Sequence, residues 1–344
     1  MESFRSLRKA RFTDILDYGI QLYKKHFREI FLLNLMFNIP MMVLLALLNP
    51  VFTDQYWNMF NTTTDIEPNA IFSSVLTLYT MVFGVIALYG INTLTLQNVW
   101  EGSVIKILYA DVVLNQKRSI KQVVRECFKQ FWTLMLGRLL YNLIIYAVVF
   151  VLYFIIVIGV FVGVFAVIGS AASSLAAPWV MVVLTIVGTL LALAFVIGIA
   201  VLVSFFLGRY WLFLPSICIE QKKGAESISR CNSLGKNNFW LLSLTYAVGY
   251  LFIMMFPGIV NISFNAISLL AGDTDLVLLK TGMVVTQIFT AVLQPLLTCI
   301  LTALYIALRV KREGLDMEVT LWSIRQEEMD RTHRWMAEAP NVSE

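Results

Sequence analysis

The sequence predicts an all-α integral membrane protein: a six-helix bundle made of three repeated units, each an interfacial amphipathic helix followed by a transmembrane hairpin, with both termini cytoplasmic. Three observations predict it. Hydrophobic residues make up 59% of the chain and charged ones 14%, where soluble domains run about 45–50% and about 25%. Between Arg138 and Arg209 lie seventy positions without a charge, enough for two spans of about 20 residues each. Finally, 25 of the 26 Lys and Arg fall in segments that one side of a membrane would hold, leaving Lys280 alone on the other. The positive-inside rule makes the basic side cytoplasmic.

Residues 1–11 form a basic arm. From Phe12 to Phe31 the apolar positions Phe12, Ile15, Leu16, Gly19, Tyr23, Phe27 and Ile30 follow helical spacing. They predict an interfacial amphipathic helix with Thr13 as N-cap. Lys24, Lys25 and Arg28 put its end at the membrane surface, and His26 among them is read as a solvated partner of lipid headgroups. No cleavable signal peptide is expected, because the first apolar run begins only after about 30 mostly amphipathic residues.

The membrane domain is predicted to cover 1–312, with spans at about 29–48, 70–99, 132–168, 178–208, 239–268 and 281–308. In the first span Asn34 and Asn38 share a face, and Pro40 is placed to kink it. Residues 100–130 read as a basic connector, with Ser119–Gln122 as a capping box. Gly169–Pro178 reads as the turn between the third and fourth spans. Gly159 and Gly163, four apart, suit a close helix approach. Residues 313–344 read as a cytoplasmic polar tail, disordered from Met336 onward.

The lead-in to each odd-numbered span looks alike. LYKKHFREIFLL (22–33), CFKQFWTLML (127–136) and GKNNFWLLSL (235–244) each set Phe27, Phe131 or Phe239 after a basic or amide-rich step. A repeated unit explains this spacing; the competing explanation is that every interfacial segment selects aromatics and Lys.

Material for catalysis is scarce. The two histidines, His26 and His333, lie in surface segments, and no glycine-rich phosphate loop adjoins a Lys. The four cysteines, Cys127, Cys218, Cys231 and Cys299, form no CxxC pair, and the first three fall in segments read as cytoplasmic, where thiols stay reduced. No cofactor, metal or nucleic-acid partner is expected. The polar residues inside the spans are Asn34, Asn38, Asn92, Asn142, Asn261, Asn265, Gln287 and Gln294. They serve either as interhelical hydrogen bonds or as the lining of a polar cavity. No acidic residue falls mid-span, which argues against a pump driven by a buried carboxylate.

The stretch Arg209–Trp240, RYWLFLPSICIEQKKGAESISRCNSLGKNNFW, carries a resemblance. Arg209, Pro215, Glu220, Ala225 to Arg230, Ser233, Leu234 and Phe239–Trp240 resemble the glycerophosphoryl diester phosphodiesterase membrane-domain family, a bacterial multi-pass module. Leu308–Arg309–Val310 with Arg312–Glu313–Gly314–Leu315–Asp316, FTDILDYGIQLYKKHF at the start and LYADVVLNQKRSIKQVVRECFKQFW in the middle are similar too. The resemblance covers nearly the whole chain. Cys231 stands where family patterns often have Ser, and the His-Arg, Glu-x-Asp and second His of the fused phosphodiesterase are missing. It therefore implies a module of the bacterial cytoplasmic membrane rather than a hydrolase.

Arg209, Glu220, Arg230, Arg309 and Glu313 are expected to form a polar clasp locking the last two hairpins. The expected function is a non-catalytic module that binds a lipid, a peptide or a partner such as a transporter, with anionic headgroups at its cytoplasmic face. The alternative is a small-molecule or lipid transporter using the Asn/Gln set. A lipid-modifying enzyme would need a catalytic base that the sequence does not offer.

Overall fold

The structure, a computed structural model, describes residues 10–38, 40–41, 43–44, 68–172, 178–270 and 276–338. Among them the chain forms twelve helices and no strand. In order these are α1 (Phe12–Lys25), α2 (Phe27–Phe37), α3 (Pro68–Leu94), α4 (Leu96–Val112), α5 (Ile120–Lys129) and α6 (Phe131–Ala172). They continue with α7 (Pro178–Trp211), α8 (Phe213–Glu220), α9 (Gly224–Gly235), α10 (Phe239–Leu270), α11 (Leu276–Glu313) and α12 (Leu315–Glu338). Five stretches are long and apolar enough to cross a membrane: α3 running into α4, α6, α7 running into α8, α10, and α11. The expected first span, 29–48, begins in α2, and residues 39, 42 and 45–48 lie outside the described residues, as does the arm 1–9.

Packing is concentrated at one end. The main core joins α1, α2, α4 and α5 to the start of α6, the end of α7, α8, α9, the start of α10 and the end of α11. These are the parts of the chain that carry its charges. Toward the other end the helices expose their apolar side chains: in the most apolar stretch of α6 or α7 no residue is buried, against 78% for α11. A helix of 42 residues rises about 63 Å, twice a hydrocarbon core of about 30 Å. The length of α6 thus spans both the membrane thickness and the packed layer at its base.

At the centre of that layer lies α4, which packs against α2, α5, α6, α8 and α11. This departs from the expected connector over 100–130. Trp100, Val104, Ile105 and Leu108 are fully buried, so the chain stays helical beyond residue 99. The break falls instead at Thr95, whose Oγ donates to the Ile91 carbonyl at 2.6 Å, while Asn98 Nδ2 covers the Leu94 carbonyl at 2.8 Å. Local side-chain donors of this kind stand in for the helical bonds a break gives up.

Short amphipathic helices lead into apolar ones. α1, α5 and α9 are followed within one to three residues by helices that start at Phe27, Phe131 and Phe239. At the α1 start the N-cap is Arg11 rather than Thr13, and Asp14 accepts its backbone N–H at 2.8 Å. Ser119 does occupy the N-cap of α5, without a side-chain capping bond. Pro215 stands in the first turn of α8, where no N–H is needed; the chain bends before it, at Leu212.

Two other expectations change. Residues 169–172, expected in a turn, belong to α6, and 336–338, expected in a disordered tail, belong to α12. Gly159 faces open space and the surroundings of Gly163 lie outside the described residues, whereas at Gly19 an added Cβ would stand 2.7 Å from the Ile300 backbone. Any side chain at 19 would push α1 off α11.

Candidate functional site

Four of the five clasp residues meet at the charged end. Glu220 is the last residue of α8; Gln221 then takes a left-handed conformation (φ 56°) and turns the chain into α9. Reversal of direction brings Arg230 back over Glu220, and its Nε and Nη2 donate to the two carboxylate oxygens at 2.7 and 3.0 Å. Arg230 also reaches Glu313 on α11, and Arg309 Nε donates to Glu313 at 3.0 Å. Arg309 lies 3.7 Å from Glu220 and donates through Nη1 to the Tyr109 hydroxyl at 3.1 Å. The Tyr305 hydroxyl donates to Glu220. Burial opposes the charge of Arg230, but its hydrogen bond and attraction to Glu220, with Glu313 beside them, outweigh that and hold its pKa above the ordinary value. Bidentate pairing of this kind fixes geometry as well as charge.

Arg209, the fifth member, is elsewhere. It lies over the Phe205 ring at 5.5 Å, donates to the Asn232 carbonyl at 3.4 Å and runs along Gly235. It joins the end of α7 to α9 and does not enter the carboxylate network. Arg312 supplies a neighbouring tie, donating to the carbonyls of Ser233 and, at 2.7 Å, Lys236. Lys311 donates to Asn238 at 3.0 Å. The two Arg312 bonds satisfy carbonyls that the end of α9 leaves open. Gly314 (φ 66°) then turns the chain into α12.

A second charged site went unrecognised in the sequence. Glu101 on α4 is 5% exposed and lies 3.4 Å from Arg138 on α6, itself 6% exposed. Gln97 Nε2 donates to the other Glu101 oxygen at 2.6 Å, and Arg138 stands over the Tyr141 ring at 5.4 Å. An acidic residue therefore does lie inside one of the long apolar helices. Its sequence signal is Glu101 followed by Lys106 and Asp111 within an otherwise apolar helix.

His26 is not solvated. It is 6% exposed, with Nδ1 at 3.0 Å from Glu29 and Nε2 at 3.1 Å from Asp111, which Lys25 also contacts. The ring fills the junction of α1 and α2 against the end of α4. Among the described residues no group of three or more His, Cys, Asp and Glu is arranged to hold a metal.

The polar set divides. Asn34, Asn38 and Gln294 come together: Asn34 Nδ2 donates to the Ala291 carbonyl at 2.6 Å and Asn38 Nδ2 to Gln294 Oε1 at 3.0 Å. The reason is Pro295 inside α11. A proline has no N–H for the carbonyl four residues earlier, here that of Ala291, and Asn34 supplies the missing donor. Tyr23 adds a bond to the Val292 carbonyl at 2.7 Å. Asn261 and Asn265 bond one another at 2.8 Å along α10. Asn92 is buried on α3, and Asn142 and Gln287 are half-buried on α6 and α11.

Replacing Asn34 with Leu is expected to lower stability in detergent by about 1–2 kcal/mol, the cost of an orphaned carbonyl. In a Pro295→Ala background, where residue 295 regains its N–H, the same change should cost much less. Equal losses in both backgrounds on denaturation with SDS would eliminate the stitch.

Comparison with protein-family models, with curated proteins and with solved structures finds no match.

Proposed function

We propose that the chain is a non-catalytic multi-pass membrane module that binds anionic lipid at the face formed by its charged end. It belongs with the glycerophosphoryl diester phosphodiesterase membrane domains that its Arg209–Trp240 stretch resembles. It crosses a bacterial cytoplasmic membrane six times, counting 29–48, with both termini inside. The bias of Lys and Arg supports that orientation. A threefold repeat is supported by the three helices that start at Phe27, Phe131 or Phe239 after an amphipathic one.

One observation carries the lipid assignment. On α5, Lys121, Arg125 and Lys129 are exposed and four residues apart, so they form a single row, with exposed Lys117 just ahead of it and Phe128 46% exposed beside it. The opposite face, Val123 and Cys127, is locked into the core. Each Lys or Arg held near an anionic surface contributes about 1 kcal/mol. The non-catalytic character is supported by the charged clusters, whose members bond to one another, and by the engagement of His26 with Asp111 and Glu29.

The test uses purified protein in nanodiscs of mixed phosphatidylglycerol and phosphatidylcholine, with retained lipids counted by native mass spectrometry. Phosphatidylglycerol should be retained about tenfold over phosphatidylcholine, a difference of about 1.4 kcal/mol. The triple change Lys121→Glu, Arg125→Glu and Lys129→Glu should remove the preference. Equal retention of the two lipids by the unaltered protein would sink the proposal.

A further inference from the structure

Two of the four cysteines meet in the core, although 91 positions separate them in sequence. Cys127 stands in the last turn of α5 and Cys218 in α8, with 0% and 4% exposure. Between them runs Gly102 of α4. A Cβ at that position would lie 2.9 Å from Cys218 Sγ and 3.5 Å from Cys127 Sγ. The missing side chain thus leaves one space that both sulfurs border.

The surroundings distinguish the two thiols from the rest. The neighbouring Cys218 thiol lowers the pKa of Cys127, and the Lys106 ammonium and the Ser103 hydroxyl lower it further; these outweigh burial and the Glu126 charge. Lys106 and Glu126, 3.5 Å apart, lie on the outer side of this site, and Glu126 is one-third exposed. Cys231, by contrast, is pushed up to about 12 by burial and lies against the Tyr210 carbonyl. Cys299 is fully buried on α11.

We propose that Cys127 and Cys218 form a reversible dithiol–disulfide site whose oxidant is a peroxide. The Cys127 thiolate attacks a peroxide oxygen, the O–O bond breaks, and the departing hydroxide takes up a proton to become water, leaving a sulfenic acid. The Cys218 thiol then attacks the Cys127 sulfur. The S–S bond forms, the S–O bond breaks, and the hydroxyl leaves with the Cys218 proton as a second water. The two thiols lose two electrons and two protons, and these convert one hydrogen peroxide to two waters.

The consequence is mechanical. A Cys127–Cys218 bond pins α5 to α8 across α4, at the helix whose outer face carries Lys121, Arg125 and Lys129. The dithiol stands on its own geometry and does not depend on what that face binds. A thiol with lowered pKa beside a resolving thiol is the arrangement that lets oxidation stop at the reversible stage.

The test uses the full chain in detergent, treated with hydrogen peroxide, then denatured and alkylated with N-ethylmaleimide. Intact mass should fall from four adducts to two, and unreduced peptide mapping should recover Cys127 linked to Cys218. Dithiothreitol before alkylation should restore four adducts. Cys218→Ser should leave Cys127 as a sulfenic acid trapped by dimedone, and Cys127→Ser should leave Cys218 reduced. Four adducts persisting after peroxide, a linkage through Cys231 or Cys299, or oxidation of Cys127 to a sulfinic acid without a bond to Cys218 would each overturn the proposal. Mapping of the unaltered protein decides the matter even where a variant does not fold.

Discussion

Replacing Glu101 with Ala is expected to lower the stability of the purified protein by about 3–5 kcal/mol, the largest loss from any single change considered. Arg138 would keep its guanidinium in the core with only the Tyr141 ring beside it. An uncompensated buried charge is what makes such a change severe, more than the loss of a pairing energy. The companion expectation separates these two causes. Glu101→Leu combined with Arg138→Met should recover most of the loss, because a buried ion pair replaced by apolar groups of similar volume is often neutral. Thermal and SDS denaturation in one detergent would measure both. If the double variant were no more stable than Glu101→Ala, the two residues would not be energetically coupled.

The second large effect belongs to Glu220. Its side chain is 11% exposed and is touched by Arg230 of α9 and by Tyr305 and Arg309 of α11. Glu220→Ala removes the acceptor common to all three and should cost about 3 kcal/mol. Arg230→Ala should cost less, since Glu220 would retain Tyr305 and Arg309. A cycle of Glu220→Ala with Arg230→Ala should give a coupling of about 1–3 kcal/mol. Unchanged detergent stability in Glu220→Ala would remove the clasp from the account.

Much of the architecture was legible in the sequence because lipid imposes a simple rule: long apolar runs must be helices. The spans expected at 132–168, 239–268 and 281–308 lie within a few residues of α6, α10 and α11. Glu220, Arg230, Arg309 and Glu313 stood out because charge is rare in this chain and these four fall beside its long apolar runs. Arg209 was misplaced for a physical reason. It precedes the bend at Leu212, so it points along α7, while the chain beyond the bend carries Glu220 toward α9 and α11.

The central helix α4 was missed because Glu101, Lys106 and Asp111 read as the start of a solvated connector. Each finds its opposite charge far away in sequence, on Arg138, Glu126 and Lys25. Sequence spacing carries no trace of pairs made across a tertiary fold. The same limit applied to glycine. Gly159 fits a known spacing and faces open space, while Gly19 lies beneath Ile300 on α11. Asn34 was correctly singled out as polar and intramembrane, but its role depends on Pro295, far along the chain.

The central claim is that one packed layer at the charged end holds the helices together while the apolar halves of α6 and α7 face lipid. Labelling of the full chain in vesicles with a carbene-generating lipid analogue, followed by peptide mapping, tests it most directly. Heavy labelling is expected on residues 143–158 of α6 and 186–202 of α7, with residues 98–108 of α4 and 299–308 of α11 left unlabelled. Labelling of α4 to the level of α6, or protection of both α6 and α7, would contradict the account.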